Sequence, residues 1–349
     1  MTRWLGPLIV LVIAAIVPFC TLDVPVVLGG PVNSPGALQL LAGALVFAGL
    51  AVSYDLLFGR VGLMSFGHAL YVAVGAYGTQ LAMSRLGMGL LPATALAVLA
   101  ATALAAVFGA VSLRARAVGG IGFAMVTLAF AQAGSVLVNT DPGGVTGGEE
   151  GLPLDADHVP AALVGVANTA ALYWLALAYL VVCAGIVWWT CGSPVGRVWQ
   201  AVRDNERRVD VLGLPARRYQ LGAVVLAGAL AALGGAVNLL VTAGASPGIT
   251  TATFTLSLLV MVVLGGSGSR WGPILGGVLY ALLDQRLAAL SSADAVRRLP
   301  AVLRVPLSQP LVLLGALFIV IVFVLPGGLA ALPGRFVRAR RATSDQQAT

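Results

Sequence analysis

GRVWQAVRDNERRVDVLGLPARR fills residues 196–218, and YQLGAVVLAGALAALGGAVNLLVTAGASPGITTATFTLSLLVMVVLGGSGS follows from Tyr219 to Ser269 without one charged side chain. The second stretch is far longer than one membrane-crossing helix, which needs about 20 apolar residues to cross about 30 Å of hydrocarbon. Ala245-Ser246-Pro247-Gly248 is a turn signal that divides it into two spans. A charged island between such runs must lie in water while its neighbours lie in lipid, so it gives the membrane a side.

The same pattern extends along all 349 residues, of which 59% are hydrophobic and only 9% charged. Apolar runs at 5–27, 36–58, 64–83, 91–113, 119–138, 168–190, 219–241, 250–268, 272–290 and 310–330 predict an all-α polytopic helical membrane protein of about ten transmembrane spans. The runs are continuous and rich in Leu, Val, Ala and Gly, unlike the alternating segments of about ten residues that build a porin-like barrel. Residues 1–20 place Arg3 before an apolar run as a signal peptide does. That run passes Pro18 without a small-x-small cleavage site, which predicts an uncleaved first span.

Ten spans put both termini on one side, and the charges choose which. All 20 basic residues are Arg. With the N-terminus cytoplasmic, Arg3, Arg60, Arg114, Arg116, the six Arg of the island, Arg270, Arg335, Arg338, Arg340 and Arg341 fall inside. That is 15 of the 20, and it predicts an N-in, C-in topology. Arginines scattered through short loops in this way exclude a nucleic-acid-binding reading of the +7 net charge. The expected organisation is one membrane domain over 1–334, with a cytoplasmic loop at 191–218, an extracytoplasmic loop at 139–167 and a cytoplasmic Arg-rich tail at 335–349. The outer loop combines glycine turns with Glu149, Glu150, Asp155 and Asp157. It is either an ordinary solvated loop or a surface on which an extracytoplasmic partner docks. Cys20, Cys183 and Cys191 show no paired spacing and no neighbouring His, so they read as structural thiols rather than metal ligands.

Ser193-Pro194 ends the helix before the island, and Gly213 with Pro215 closes it. Between them Val198, Ala201, Val202, Val209 and Leu212 are spaced to form one apolar face, while Arg203, Asp204, Arg207, Arg208 and Asp210 occupy the others. This predicts a short amphipathic helix that lies along the membrane or docks in a groove. The plainer alternative is a basic loop resting on lipid headgroups. Elsewhere, His68 at the start of the third run needs a polar partner in lipid. It either lines a pathway, gating it by titration, or bonds between helices, and Thr127 and Gln132 pose the same choice. Gly272 and Gly276 have the spacing of a close helix contact. The chain has no Lys, so a Walker A loop is impossible and no ATP site is expected. Gly266-Ser267-Gly268 lies between two spans rather than in a βαβ unit, which excludes a dinucleotide fingerprint.

Several blocks together resemble a known family. Tyr54-Asp55-Leu56-Leu57-Phe58-Gly59 and Gly62-Leu63-Met64-Ser65-Phe66-Gly67-His68-Ala69, then Gly120 to Gln132, Thr146 to Leu152, the island, and Val263 to Pro273 are similar, in order, to the branched-chain amino acid (Liv-type) permease subunits of ABC importers. The resemblance implies a pore-forming subunit in a prokaryotic plasma (inner) membrane, in contact with lipid. Its implied partners are two ATP-binding subunits, a second related permease subunit and an extracytoplasmic solute-binding protein. ATP and Mg would be bound by the partner ATPases, with no cofactor in this chain and no nucleic acid. It further implies that Gly196, Arg197, Ala201, Arg203, Asp204, Asn205, Glu206, Arg207, Arg208 and Gly213 couple to the ATPase, and that Ser65, Gly67, His68, Thr127 and Gln132 belong to the translocation pathway. At Arg207-Arg208-Val209 the family often has smaller residues, which here implies seating that relies more on charge. Motion of the island, continuous with the spans on either side, is expected to tilt them. Within the same permease type, urea or short amides are the alternative solute. An ion-coupled secondary transporter would instead need an embedded acidic residue or a broken-helix ion site. Asp55 is the acidic candidate in the early spans, and it is expected near the cytoplasmic interface with Arg60.

Overall fold

A computed structural model of the chain describes residues 14–20, 23–24, 30–115, 120–165 and 168–291, together with 312, 315–316, 318–319, 323 and 327–331. The predicted spans at 5–27 and 310–330 lie largely outside the described residues, and the tail at 335–349 lies wholly outside them.

The described chain is helical, apart from two antiparallel pairs of two-residue strands. Helix α1 is Pro35–Asp55, with Pro35 at its first position and the Ser34 hydroxyl accepting from the Ala37 amide at 3.4 Å. It runs on through a π-turn, Leu56–Val61, that Gly62 closes in the left-handed conformation at φ +76°. Then come α2 (His68–Leu86), α3 (Leu90–Ala115), α4 (Gly120–Thr140), α5 (Thr169–Gly192), α6 (Pro194–Val211), α7 (Ala216–Thr242), α8 (Ala252–Gly265) and α9 (Gly272–Ser291).

Among the described residues, Pro35–Val61, Leu90–Arg114, Ile121–Thr140, Thr169–Gly192 and Ala216–Thr242 are long and apolar enough to cross a membrane. The predicted spans at 64–83, 250–268 and 272–290 are not among them. The run at 250–268 gives only the 14 residues of α8, about 21 Å at 1.5 Å per residue and short of a full crossing. A 3₁₀ turn at Pro247–Thr250 and the Thr251 cap delay its start, and Gly266 ends it. The run at 64–83 becomes helical only at His68, because residues 62–67 are non-helical. The predicted division of the long uncharged stretch is present, since α7 stops at Ala243 and the chain passes through Gly244–Ala245 before α8.

α1 and α7 form the centre of the bundle: α1 packs against α5, α7, α8 and α9, and α7 against α2 and α3. In both central helices 72% of the most apolar window is buried, against 33% in α3 and α4, so the latter keep broad apolar faces turned outward. Small residues let the backbones meet where no aqueous hydrophobic effect drives helices together. At Gly276 a side chain would strike the Met261 carbonyl of α8, and at Gly265 it would strike the Gly272 carbonyl of α9, which accounts for the Gly272/Gly276 spacing.

The connections sort to two ends. At one end lie the π-turn, α6 and the α8–α9 turn; at the other, Leu152–Pro153 pairs with Gly244–Ala245. There Arg85 Nη2 donates to the Gly144 carbonyl at 3.1 Å and the Asp155 amide donates to Gln80 Oε1 at 3.2 Å. Arg60 and Arg203 are thus placed opposite Arg85, with the 139–167 loop on the Arg85 side.

Candidate functional site

The island forms a helix that docks by one edge. Val202 and Val209 are buried, Val198 is half-buried, and the three pack with Ala216. Trp199 is 3% exposed, and its indole Nε1 donates to the Tyr219 carbonyl at 2.8 Å, fixing α6 to the start of α7. Asp210 Oδ1 accepts from the Ala216 amide at 3.1 Å, satisfying an α7 first-turn donor that has no partner within the helix. The helix is broken at Asn205, whose backbone is extended (φ −161°, ψ 99°) and whose side-chain oxygen caps the second half by accepting from the Arg208 amide at 3.0 Å. Val198, Val202 and Val209, spaced four and seven residues apart, keep one buried edge across the break. Ala201 and Leu212, expected on the apolar face, are exposed instead, Leu212 at 73%.

Of the expected coupling residues, Gly196 is buried where a side chain would meet the Cys191 backbone. Arg197, Ala201, Arg203, Asp204, Asn205, Arg207, Arg208 and Gly213 are exposed, and Glu206 is half-buried. Gly213 ends the segment in the left-handed region at φ +83°. The exposed edge therefore combines Arg207 and Arg208 with Val211 and Leu212, charge beside apolar surface. The expected continuity with the flanking spans is also corrected. Ser193 has an extended backbone between α5 and α6, and Leu212 to Pro215 is non-helical before α7.

Arg203 behaves differently from the other island arginines. Its guanidinium Nη1 donates to the Gly59 carbonyl in the π-turn of α1. Beside it, Asp55 Oδ1 accepts from the Gly268 amide in the α8–α9 turn at 2.8 Å, and Asp55 Oδ2 lies 3.8 Å from Arg60 Nε. The expected Asp55–Arg60 neighbourhood is present, whereas the Gly59 and Gly268 partners carry no local sequence signal. Glycine is required at Gly59 because a Cβ there would collide with the Asp55 carboxylate and the Gly268 amide.

Four of the five expected pathway residues come together around the non-helical segment 62–67. Backbone groups at Phe66 and Gly67 find side-chain partners instead of helical ones. The Phe66 amide donates to Thr127 Oγ1 of α4 at 3.1 Å. Thr255 Oγ1 of α8 donates to the Phe66 carbonyl at 3.2 Å and accepts from the Ala69 amide at 3.1 Å. Ser65 Oγ accepts from the Gly67 amide at 3.2 Å. His68 is fully buried, with Nε2 2.8 Å from Ser53 Oγ, and the Ser53 hydroxyl donates to the Leu50 carbonyl at 2.7 Å. Its ring meets Tyr54 edge-on at 5.4 Å. His68 is thus held between α1 and α2 with no exposed surface. Gln132 stands apart, exposed on the outer face of α4. Against the broken segment lies an apolar groove of about 470 Å³ lined by Met64, Phe66, Ile121, Ala124, Met125 and Leu128.

At the opposite end, Asp141 organises the long loop. Its Oδ1 accepts from the Val145 and Thr146 amides at 2.6 Å and from the Thr146 hydroxyl at 2.9 Å, and its Oδ2 from the Gly147 amide at 3.2 Å. The Thr146 amide above all, with the other donors, holds its carboxyl below the usual carboxylate range. Near that end a polar cleft of about 460 Å³ opens between α1, α7 and α9, and Gln39, Asn238, Thr242, Tyr280, Asp284 and Gln285 line it. No group of His, Cys, Asp or Glu able to hold a metal is present among the described residues.

The "High-affinity branched-chain amino acid transport system permease protein LivM" of Escherichia coli is 27% identical over 273 residues, covering 71% of this chain and 63% of the relative. The protein of the same description from Salmonella typhimurium is 27% identical over 277 residues, with the same coverage of each chain. The "Probable branched-chain amino acid transport permease protein LivM" of Methanocaldococcus jannaschii is 29% identical over 92 residues, 26% of this chain and 27% of the relative. The chain therefore spans about 63% of the length of the two bacterial relatives. No solved structure matches it. The model of the family described as branched-chain amino acid transport system / permease component matches residues 36–322, from the start of α1 to beyond α9, and the chain belongs to that family.

Proposed function

We propose that this chain is the membrane-spanning permease subunit of an ATP-driven importer that carries branched-chain or related amino acids across a prokaryotic plasma (inner) membrane. The observation that carries the proposal is α6: an amphipathic helix docked by Trp199, Val202 and Val209, with Arg207, Arg208, Val211 and Leu212 left exposed, in a member of this permease family. A helix presented this way supports a seat for a soluble ATPase, and its neighbours α5 and α7 belong to the apolar bundle. Two ATP-binding subunits carrying ATP and Mg, a second related permease and an extracytoplasmic binding protein complete the proposed assembly. The binding protein docks on the 139–167 side, and the topology is ten spans with both termini in the cytoplasm. Delivery outside and ATP-driven motion inside are then joined by alternating access.

The test is charge reversal of Arg207 and Arg208 to Glu. The variant is expected to insert normally, to lose co-purification of the ATPase subunits, and to lose uptake. Unimpaired uptake overturns the reading. Thermal-shift screening of the partner binding protein against Leu, Ile, Val and urea identifies the solute.

A further inference from the structure

Motion imposed on α6 has a poor route through its own chain. The extended Ser193, the break at Asn205 and the non-helical Leu212 to Pro215 are three hinges, and hinges absorb rotation rather than transmit it. A second route runs through the Arg203 side chain, beside the Trp199–Tyr219 and Asp210–Ala216 contacts to α7. Arg203 donates to the Gly59 carbonyl inside the π-turn, and its aliphatic stem packs against Gly62, where a Cβ would lie 3.0 Å from Arg203 Cγ. Gly62 begins the broken segment that Thr127 and Thr255 hold and that walls the apolar groove through Met64 and Phe66. On the other side of the same node, Asp55 fastens the π-turn to the α8–α9 turn through the Gly268 amide. A π-turn inside a helix is a place where register can shift at low cost, and such turns recur at functional sites.

We infer that Arg203 carries displacement of α6 to the π-turn of α1 and so to the 62–67 wall of the groove, while Asp55 holds that turn to the α8–α9 turn through the Gly268 amide. This rests on the reading of α6 as the ATPase seat. Arg203 and Asp55 act as positioning residues, since neither faces the groove.

The experiment uses the assembled transporter with its ATPase partners and binding protein in proteoliposomes, with leucine as the solute. Arg203→Ala is expected to keep the ATPase subunits bound and ATP hydrolysis within about twofold of the parent, while leucine moved per ATP falls about tenfold. Asp55→Asn keeps an oxygen for the Gly268 amide but loses the charge beside Arg60, and it is expected to give a smaller loss of the same kind. The double variant is expected to stay within about twofold of Arg203→Ala, because both residues act on the same π-turn. If Arg203→Ala does not insert, Arg203→Met, which keeps an aliphatic stem against Gly62 but has no donor for Gly59, takes its place.

A second readout is independent of the solute. Maleimide labelling of Met64→Cys should change on ATP addition in the parent and stay fixed in Arg203→Ala. An unchanged leucine-to-ATP ratio, losses that multiply in the double variant, or ATP-dependent labelling that survives Arg203→Ala overturns the relay. Release of the ATPase subunits by Arg203→Ala also overturns it, because Arg203 would then be a docking contact. Retention of those subunits in the Arg207/Arg208 reversal refutes the α6 seat instead.

Discussion

Replacing Thr255 by Val tests whether the broken segment is held by side-chain hydrogen bonds. Thr255 has no exposed surface, and Val matches its shape, so the change leaves no cavity and removes only a hydroxyl. That hydroxyl serves two backbone groups, the Phe66 carbonyl at 3.2 Å and the Ala69 amide at 3.1 Å. Neither has a helical substitute, because Phe66 lies outside any helix and Ala69 is in the first turn of α2. Interhelical hydrogen bonds in membrane proteins are worth about 0.6 kcal/mol on average, giving a floor of about 1.2 kcal/mol for the pair. Leaving two buried groups without partners costs about 1–3 kcal/mol each, and the expected loss is therefore about 2–6 kcal/mol. Thr127→Val strands only the Phe66 amide, 3.1 Å from its oxygen, and is expected to cost about 1–2 kcal/mol. Thr255→Ser keeps both bonds and is expected to cost under about 1 kcal/mol. Denaturant titration of the purified protein in detergent, followed by tryptophan fluorescence, measures all three. A Thr255→Val variant within about 0.5 kcal/mol of the parent, or one more stable than Thr127→Val, refutes the account.

Two further outcomes follow from the ends of the bundle. Trp199→Ala removes both the buried indole and its bond to the Tyr219 carbonyl, worth about 3–5 kcal/mol in a packed site. Amide exchange over 194–211 should accelerate by at least about tenfold while α1 and α7 stay protected, and uniform exchange would show that α6 is held otherwise. At the other end, Asp141 has a carboxyl held below the usual range, so its contribution to loop order is present above that range and is lost as pH falls through the depressed value. Exchange of the Val145, Thr146 and Gly147 amides, corrected for its intrinsic pH dependence, should rise on acidification, and in Asp141→Asn it should be fast at every pH. Protection in the parent that persists into strong acid would remove Asp141 from that role.

The helical membrane class, the break at Ala245 to Gly248 and the limits of the island were legible in the sequence because each rests on a local signal. Run length sets a span, Ser193-Pro194 stops α5, and Gly213 supplies the left-handed residue that ends the island. Helix phase was legible in part. Val198, Val202 and Val209 keep one face at helical spacing, while Ala201, about 100° round from Val202, and Leu212, past the end of α6, turn out. Length misled at α8, where capping by Thr251 and the exit at Gly266 leave 14 residues from a run that looked like a full span. In the site, His68 and Thr127 were nameable as polar groups that need partners in lipid, as was the exposed Gln132, while Ser65 and Gly67 came only from the family resemblance. Their partners were not nameable. Thr255 reaches Phe66 across 189 residues, Arg203 reaches Gly59 across 144, and Asp55 reaches Gly268 across 213. Composition and periodicity decide what each segment must be, whereas only the packing of α1 against α8 and α9, with glycines thinning the contacts, decides which distant carbonyl or amide meets each polar side chain.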